Sequence, residues 1–310
     1  MTRAVTTVDY YEVFEAALSA LTAVRGEYRR HFGAHVVPAP AGYCWFKGVT
    51  APERHPDYAK WLCDAGTELE ERLLADMPRL KPTSVLDVGC GNGALLRRLA
   101  RDFPGVALTG INFQPTQVQT ARSQLRGTSV EIVEADFLQH PFGATFELAC
   151  LFESAFHMPD KAQLCQSLAT VLAPGGEAWL IDIVIAERAA ETFQNMGKNA
   201  LFNYVPRKQW QACFQACGFE EIDFVDFSRG AAEVLQISDI KLLEPEYFAP
   251  RLTQALTRAG APASEVELQR ALSLLVQIAT EYRRLARLLR GGMLQYVLMR
   301  YKKTGGAAAG

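Results

Sequence analysis

No apolar stretch in this 310-residue chain approaches the length of a membrane span. The opening residues Met1-Thr2-Arg3-Ala4-Val5 lead into no apolar core of a secretory signal, so a cytoplasmic protein is expected. A basic excess is missing too. Lys and Arg number 32 against 34 Asp and Glu, a formal net charge of −2, without the positive footprint that nucleic-acid binding requires. Seven cysteines include no Cys-x-x-Cys pair, and Cys213 and Cys217, one helical turn apart, have no His or Cys nearby to complete a metal set. Buried free thiols and no metal are the expectation. There is no Asp-rich motif for Mg²⁺ and no internal repeat.

What is present begins at Ser84-Val85-Leu86-Asp87-Val88-Gly89-Cys90-Gly91-Asn92-Gly93. Apolar residues run into glycines at alternate positions, and a helical pattern follows at Ala94, Leu95, Leu96, Leu99 and Ala100. This reads as a buried strand, a tight turn and a helix N-terminus. Glycine lets backbone amides approach a ligand there, because it has no Cβ and accepts positive φ. No Lys-Ser/Thr follows the last glycine, which excludes a P-loop, and the Gly-x-Gly-x-Gly spacing differs from the Gly-x-Gly-x-x-Gly of dinucleotide enzymes.

Strands and helices then alternate to about Ala186. The pattern predicts strands over Val106–Phe113, Ser129–Glu134, Phe146–Phe152 and Glu177–Ala186, with helices opening at Pro115 and Pro159. Such alternation implies a parallel, doubly wound sheet whose ligands bind at the carboxyl ends of the strands. A helix from Pro206 to Cys217 and strands over Phe219–Phe227 and Met293–Tyr301 follow.

Asp87, Gly89, Gly91 and Gly93 match motif I of the class I S-adenosylmethionine (SAM) methyltransferases, and the chain resembles that family over about residues 84–227. The resemblance implies a Rossmann-like α/β fold with a seven-stranded sheet, closed by late antiparallel strands, and SAM as cofactor. It places the amino-acid end of SAM on the Asp87–Gly93 loop. Asn112 stands where many members carry an acid for the ribose hydroxyls, and the turn Gly110-Ile111-Asn112-Phe113-Gln114-Pro115-Thr116-Gln117 resembles a subgroup in which the glutamine, here Gln117, reaches the cofactor. By the same resemblance Asp136 accepts the adenine amino group and Phe137 packs on the ring.

The segment Glu153-Ser154-Ala155-Phe156-His157-Met158-Pro159-Asp160-Lys161 follows the fourth strand. It looks like the corresponding segment of tocopherol-type methyltransferases and of sterol and prenyl C-methyltransferases. Glu153 and His157 are therefore the candidate catalytic residues. A carboxylate there can stabilise a carbocation and remove a proton from it, or either residue can take the proton of a phenol, alcohol or amine. The structural alternatives are that Glu153 bonds backbone amides and that His157 caps the helix at Pro159. Aromatic residues of the flanks, among them Trp45, Phe202, Tyr204 and Trp210, are candidate substrate-pocket walls or ordinary core. Arg283, Arg284, Arg287 and Arg290 could grip a diphosphate but more simply form a solvated face.

The expected organisation is a helical segment over residues 1–80, serving as lid or oligomer contact, then a SAM-binding core over 81–303. Cap helices are inserted in that core at about 187–217 and 231–290, and a disordered tail covers 304–310. The first helix, with Tyr10, Phe14, Leu18 and Leu21 on one face, is the expected homo-oligomer contact. The expected activity is SAM-dependent methylation of a small apolar natural product in specialised metabolism. C-methylation of an isoprenoid double bond stands first, O- or N-methylation of an aromatic or alkaloid-like molecule second, and a SAM-binding protein without catalysis third. No nucleic acid or membrane partner is expected.

Overall fold

The computed structural model describes residues 38–44, 47–48, 54–195, 202–236, 250, 253 and 265–304. The first helix expected at Tyr10–Val24, Trp45, and the tail from residue 305 lie outside the described residues. The chain forms two compact units, Met1–Leu74 with Ser228–Gly291, and Ala75–Phe227 with Gly292–Gly310.

In the first unit, helix α1 covers Pro56–Leu74 and buries Trp61, Ala65, Leu69 and Leu73, a spacing of four residues that keeps one face inward. Tyr43 belongs to this core. It is 1% exposed, its ring lies 4.7 Å from that of Trp61, and its hydroxyl donates to Val234 O at 3.0 Å.

The second unit starts with α2 (Met77–Leu80) and holds the sheet. In chain order come β1 (Ser84–Val88), α3 (Ala94–Asp102), β2 (Ala107–Asn112), α4 (Pro115–Gln124), β3 (Glu131–Glu134), β4 (Phe146–Phe152), α5 (Lys161–Val171) and β5 (Leu172–Ile185). Then follow α6 (Ala190–Asn195), β6 (Val205–Pro206), α7 (Arg207–Ala216) and β7 (Phe219–Asp226). Helices α8 (Ser228–Val234) and α9 (Glu265–Arg290), which pack together, belong to the first unit; β8 (Leu294–Lys303) returns to the sheet. The main path is β3-β2-β1-β4-β5-β8-β7, seven strands, with the two-residue β6 beside β5. Strands β1 to β5 run parallel, and β8 is antiparallel to both β5 and β7. The order reverses between β1 and β4, so the ligand crevice of such a sheet lies at their carboxyl ends.

Val85, Leu86 and Val88 of β1 are all fully buried, as a strand covered on both faces requires. Leu164, Leu168 and Val171 of α5 and Trp210 and Phe214 of α7 join one core cluster with Leu86, Leu151, Leu180 and Met299. Two local differences from the sequence pattern have clear causes. Helix α5 begins at Lys161 rather than Pro159, because the Asp160 side chain accepts the Gln163 amide at 2.9 Å and so sets the N-cap. Strand β5 begins at Leu172, and the Pro174-Gly175-Gly176 turn survives as an irregularity where the β4–β5 register shifts between Phe146 and Leu148.

Candidate functional site

Three turns meet at the reversal point. The first follows β1. Gly89, Gly91 and Gly93 have φ of 74°, 53° and 77°, left-handed values that favour glycine. A Cβ on Gly89 would lie 2.5 Å from Ser154 Cβ, whereas one on Gly91 would meet nothing within 4 Å. Gly89 is thus a contact between turns, and Gly91 faces open space. Ser154 Oγ donates to Val88 O at 2.6 Å and ties the exit of β4 to that of β1. Gly89→Ala combines a sub-contact distance with an unfavourable φ. It is expected to cost on the order of 3 kcal/mol, read as a lower denaturation midpoint; a wild-type midpoint would show that the turns part freely.

Asp87 precedes this turn, 3% exposed and paired in register with Gly110 and Cys150. Burial pushes its carboxyl up to about 7. Asp182 on β5 is raised to about 7 by the same cause, against the opposing charge of Lys161. Between the unfolded value near 4 and the folded value near 7 the native state holds protons that the unfolded state has released. Stability therefore falls as pH rises through that window. Without ligand, Tm is expected to drop by about 5–10 °C from pH 5 to pH 7.5, with the drop reduced in Asp182→Asn; a rising Tm would contradict the burial argument.

The second turn follows β2. Asn112, 6% exposed, donates from Nδ2 to Gln117 Oε1 at 2.7 Å, and its Oδ1 accepts the Phe113 amide at 3.1 Å. Gln114, at 1% exposure, caps α4 by accepting the Gln117 amide at 2.6 Å, which leaves its Nε2 buried without a partner. Phe113 is 44% exposed, a large apolar ring at the rim. Sequence reasoning passed over both Phe113 and Gln114; a signal was present, since a polar residue directly before Pro115 is the N-cap position.

The third turn follows β4. Glu153 has φ 54°, and its amide donates to Ile181 O at 2.9 Å. Its carboxylate accepts the Tyr296 hydroxyl at 2.6 Å. His157 ends a short 3₁₀ turn, Ala155–His157, and is not the helix cap, which Asp160 provides. Lys161, 2% exposed, donates to Ala155 O at 2.6 Å and Met158 O at 2.7 Å and clamps this turn. Phe156, His157, Phe202 and Tyr204 form a ring cluster. Phe202 and Tyr204 stack at 5.9 Å and 6°, and Phe156 lies 5.6 Å from Phe202.

The turn after β3 adjoins the second turn, since the Ala135 amide donates to Asn112 O at 3.1 Å. Phe137 is 5% exposed in the core cluster, and Asp136 accepts Leu138 N at 3.0 Å and Gln139 Nε2 at 3.1 Å within its own turn. Trp210, 1% exposed, sits in the core beside Phe214 and under the Lys161 ammonium. In the first unit Arg284 pairs with Glu281, and Arg290 donates to Ala232 O, which fits the solvated face rather than a phosphate grip.

SAM fits this crevice. Asn92 Oδ1, in the first turn, is a buried acceptor with no partner, and Gln114 Nε2, in the second, is a buried donor with none. Asn92 is the chain neighbour of Gly91, whose missing side chain leaves open space, and Gln114 that of the exposed Phe113. A ligand with a cationic amino-acid end and a flat base supplies what each lacks. Among the described residues no group of three or more His, Cys, Asp or Glu could hold a metal ion, and no helix is long and apolar enough to cross a membrane.

Comparison with known proteins agrees. A profile for a methyltransferase domain matches residues 85–176. The 27-O-demethylrifamycin SV methyltransferase of Amycolatopsis mediterranei (strain S699) is 31% identical over 184 residues, 56% of this chain and 67% of that one. The 2-methyl-6-phytyl-1,4-hydroquinone methyltransferase of Synechocystis sp. is 41% identical over 98 residues, 30% of each chain. Several other curated relatives are matched over less than half of their length. Among solved structures, the StiE O-methyltransferase segment 961–1257 shares the fold at TM-score 0.70 and 22% identity, over 92% of this chain and 90% of that one. The chain belongs to the class I SAM-dependent methyltransferases, and its cofactor is S-adenosylmethionine.

Proposed function

We propose that the enzyme methylates a carbon of an isoprenoid double bond in a small, largely apolar natural product. The observation that carries this reading is Glu153, a carboxylate held by a buried phenol at the lip of the crevice, on the same turn as Phe156, whose ring clusters with those of Phe202 and Tyr204. When bound, SAM supplies an electrophilic methyl, which the π pair of an alkene takes with loss of S-adenosylhomocysteine, leaving a carbocation on the neighbouring carbon. Glu153 stabilises that charge and takes the proton from the adjacent carbon as the new double bond forms. The π faces of Phe156, Phe202 and Tyr204 favour an apolar chain and a developing cation. His157 lines the pocket.

In this reading Asp87 pairs with the cationic amino-acid end of SAM, and Gly91 leaves room for it. Asn92 and Gln114 bond its polar groups, Phe113 offers an exposed ring to the adenine, and Asp136 and Phe137, on the turn after β3, take its amino group and its ring edge. Asn112 and Gln117, bonded to each other, fix the ribose side of the crevice. Most of the rate comes from alignment and exclusion of water, since the methyl is already activated.

A second reading, O-methylation, is supported by the rifamycin relative, named for an O-demethyl substrate. There Glu153 or His157 takes the proton of a hydroxyl as the O–C bond forms. The phytyl chain in the name of the Synechocystis relative keeps an isoprenoid-bearing phenol within both readings. Incubation with methyl-labelled SAM and a panel of prenyl diphosphates, prenylated phenols and plain phenols separates them. Label on carbon at a former double bond supports the first reading; label on oxygen overturns it in favour of the second.

A further inference from the structure

Tyr296 lies on β8 opposite Ile183 of β5 and is fully buried. Its hydroxyl donates to Glu153 Oε1 across 143 residues of sequence, at 2.6 Å. Its own strand is paired on both sides, by β5 and β7, and its carbonyl accepts the Phe227 amide at 2.8 Å, so the donor has little freedom to move. Glu153, by contrast, sits at a backbone conformation that disfavours any side chain. Such a conformation persists where the surroundings over-determine it. Here the Glu153 amide is held by Ile181 O, its carboxylate by Tyr296, and the next residue by the bond from Ser154 to Val88 O.

We infer that Tyr296 is a positioning residue for methyl transfer: it fixes the Glu153 carboxylate in one rotamer at the carboxyl end of β4. The inference rests on the role proposed above for Glu153. A rigid donor on an immobile strand lets the carboxylate meet a developing cation without reorganising at the moment of reaction. Tyr296 touches neither cofactor nor substrate in this account. The proton removed from the substrate goes to the Glu153 carboxylate, not to the phenol.

The test uses the full chain with Tyr296→Phe, Glu153→Gln and their double variant for turnover, and with Glu153→Ala, alone and combined with Tyr296→Phe, for stability, because Ala removes the acceptor that Gln keeps. Phe keeps the ring and removes only the hydroxyl. Thermal unfolding needs no substrate: the Tm loss of Tyr296→Phe combined with Glu153→Ala is expected to fall clearly short of the sum of the single losses, because the two residues share one bond. Strict additivity would overturn the pairing. Turnover is then read with methyl-labelled SAM and two acceptors, geranyl diphosphate and a phytylated hydroquinone. Tyr296→Phe is expected to lower kcat about 10-fold with the KM for SAM unchanged, and the double variant to be no slower than Glu153→Gln alone. A slow Glu153→Gln beside a full-rate Tyr296→Phe would overturn this inference and leave the role of Glu153 standing. A full-rate Glu153→Gln would overturn both.

Discussion

Asp87→Asn is expected to weaken SAM binding by about 100-fold while leaving the fold intact. Removing one member of a buried charge pair costs roughly 2–5 kcal/mol of affinity, and each 1.4 kcal/mol is a factor of ten. In the free protein the Asp87 carboxyl is pushed up to about 7 by burial alone. Asn keeps the shape and spares the strand a desolvated charge, so stability above pH 7 should not fall. The same argument fixes a pH dependence: wild-type affinity for SAM rises from pH 6 to pH 8 as the carboxylate forms, and the variant's does not. Titration calorimetry at the two pH values checks this. A variant with wild-type affinity would remove Asp87 from the cofactor site.

Glu153→Gln separates binding from chemistry. The carboxylate is anchored on the β8 side of the sheet, by Tyr296, whereas the cofactor crevice is built from the turns after β1 and β2. Affinity for SAM should therefore stay within about two-fold, while kcat falls by roughly 100-fold or more, the usual worth of a positioned acid or base. Gln retains an oxygen that accepts the Tyr296 hydroxyl, so the loss reflects charge and proton acceptance and not a collapsed turn. An undiminished rate would leave Glu153 a structural residue.

The features that were legible in the sequence are those whose signal is local. The β1 turn announces itself because three left-handed residues need three glycines within five positions. The late antiparallel pair is visible in the alternation of Phe219–Phe227 and in the strand pattern of Met293–Tyr301, close to the observed Phe219–Asp226 and Leu294–Lys303. Glu153 stands out in the sequence through the resemblance of Glu153–Lys161 to the corresponding segment of tocopherol-type methyltransferases. What stayed hidden depends on register or on which way a side chain turns. Phe137 and Phe113 both follow the end of a strand, yet one is 5% exposed and the other 44%. Trp210 read equally well as pocket wall or core, and only the packing of α7 beside Phe214 and Lys161 decides for the core. Tyr296 could not be linked to Glu153 at all, since their meeting rests on β8 pairing with β5 in a register no local pattern encodes.

The most direct test of the account is a crystal structure of the protein with S-adenosylhomocysteine. The expected complex has the amino-acid end of the ligand over Gly91 and beside Asp87, the adenine against Phe113, polar contacts from Asn92 Oδ1 and Gln114 Nε2, and the sulfur directed at the Glu153 turn. A ligand seated away from these turns, or with its sulfur facing away from Glu153, would contradict it.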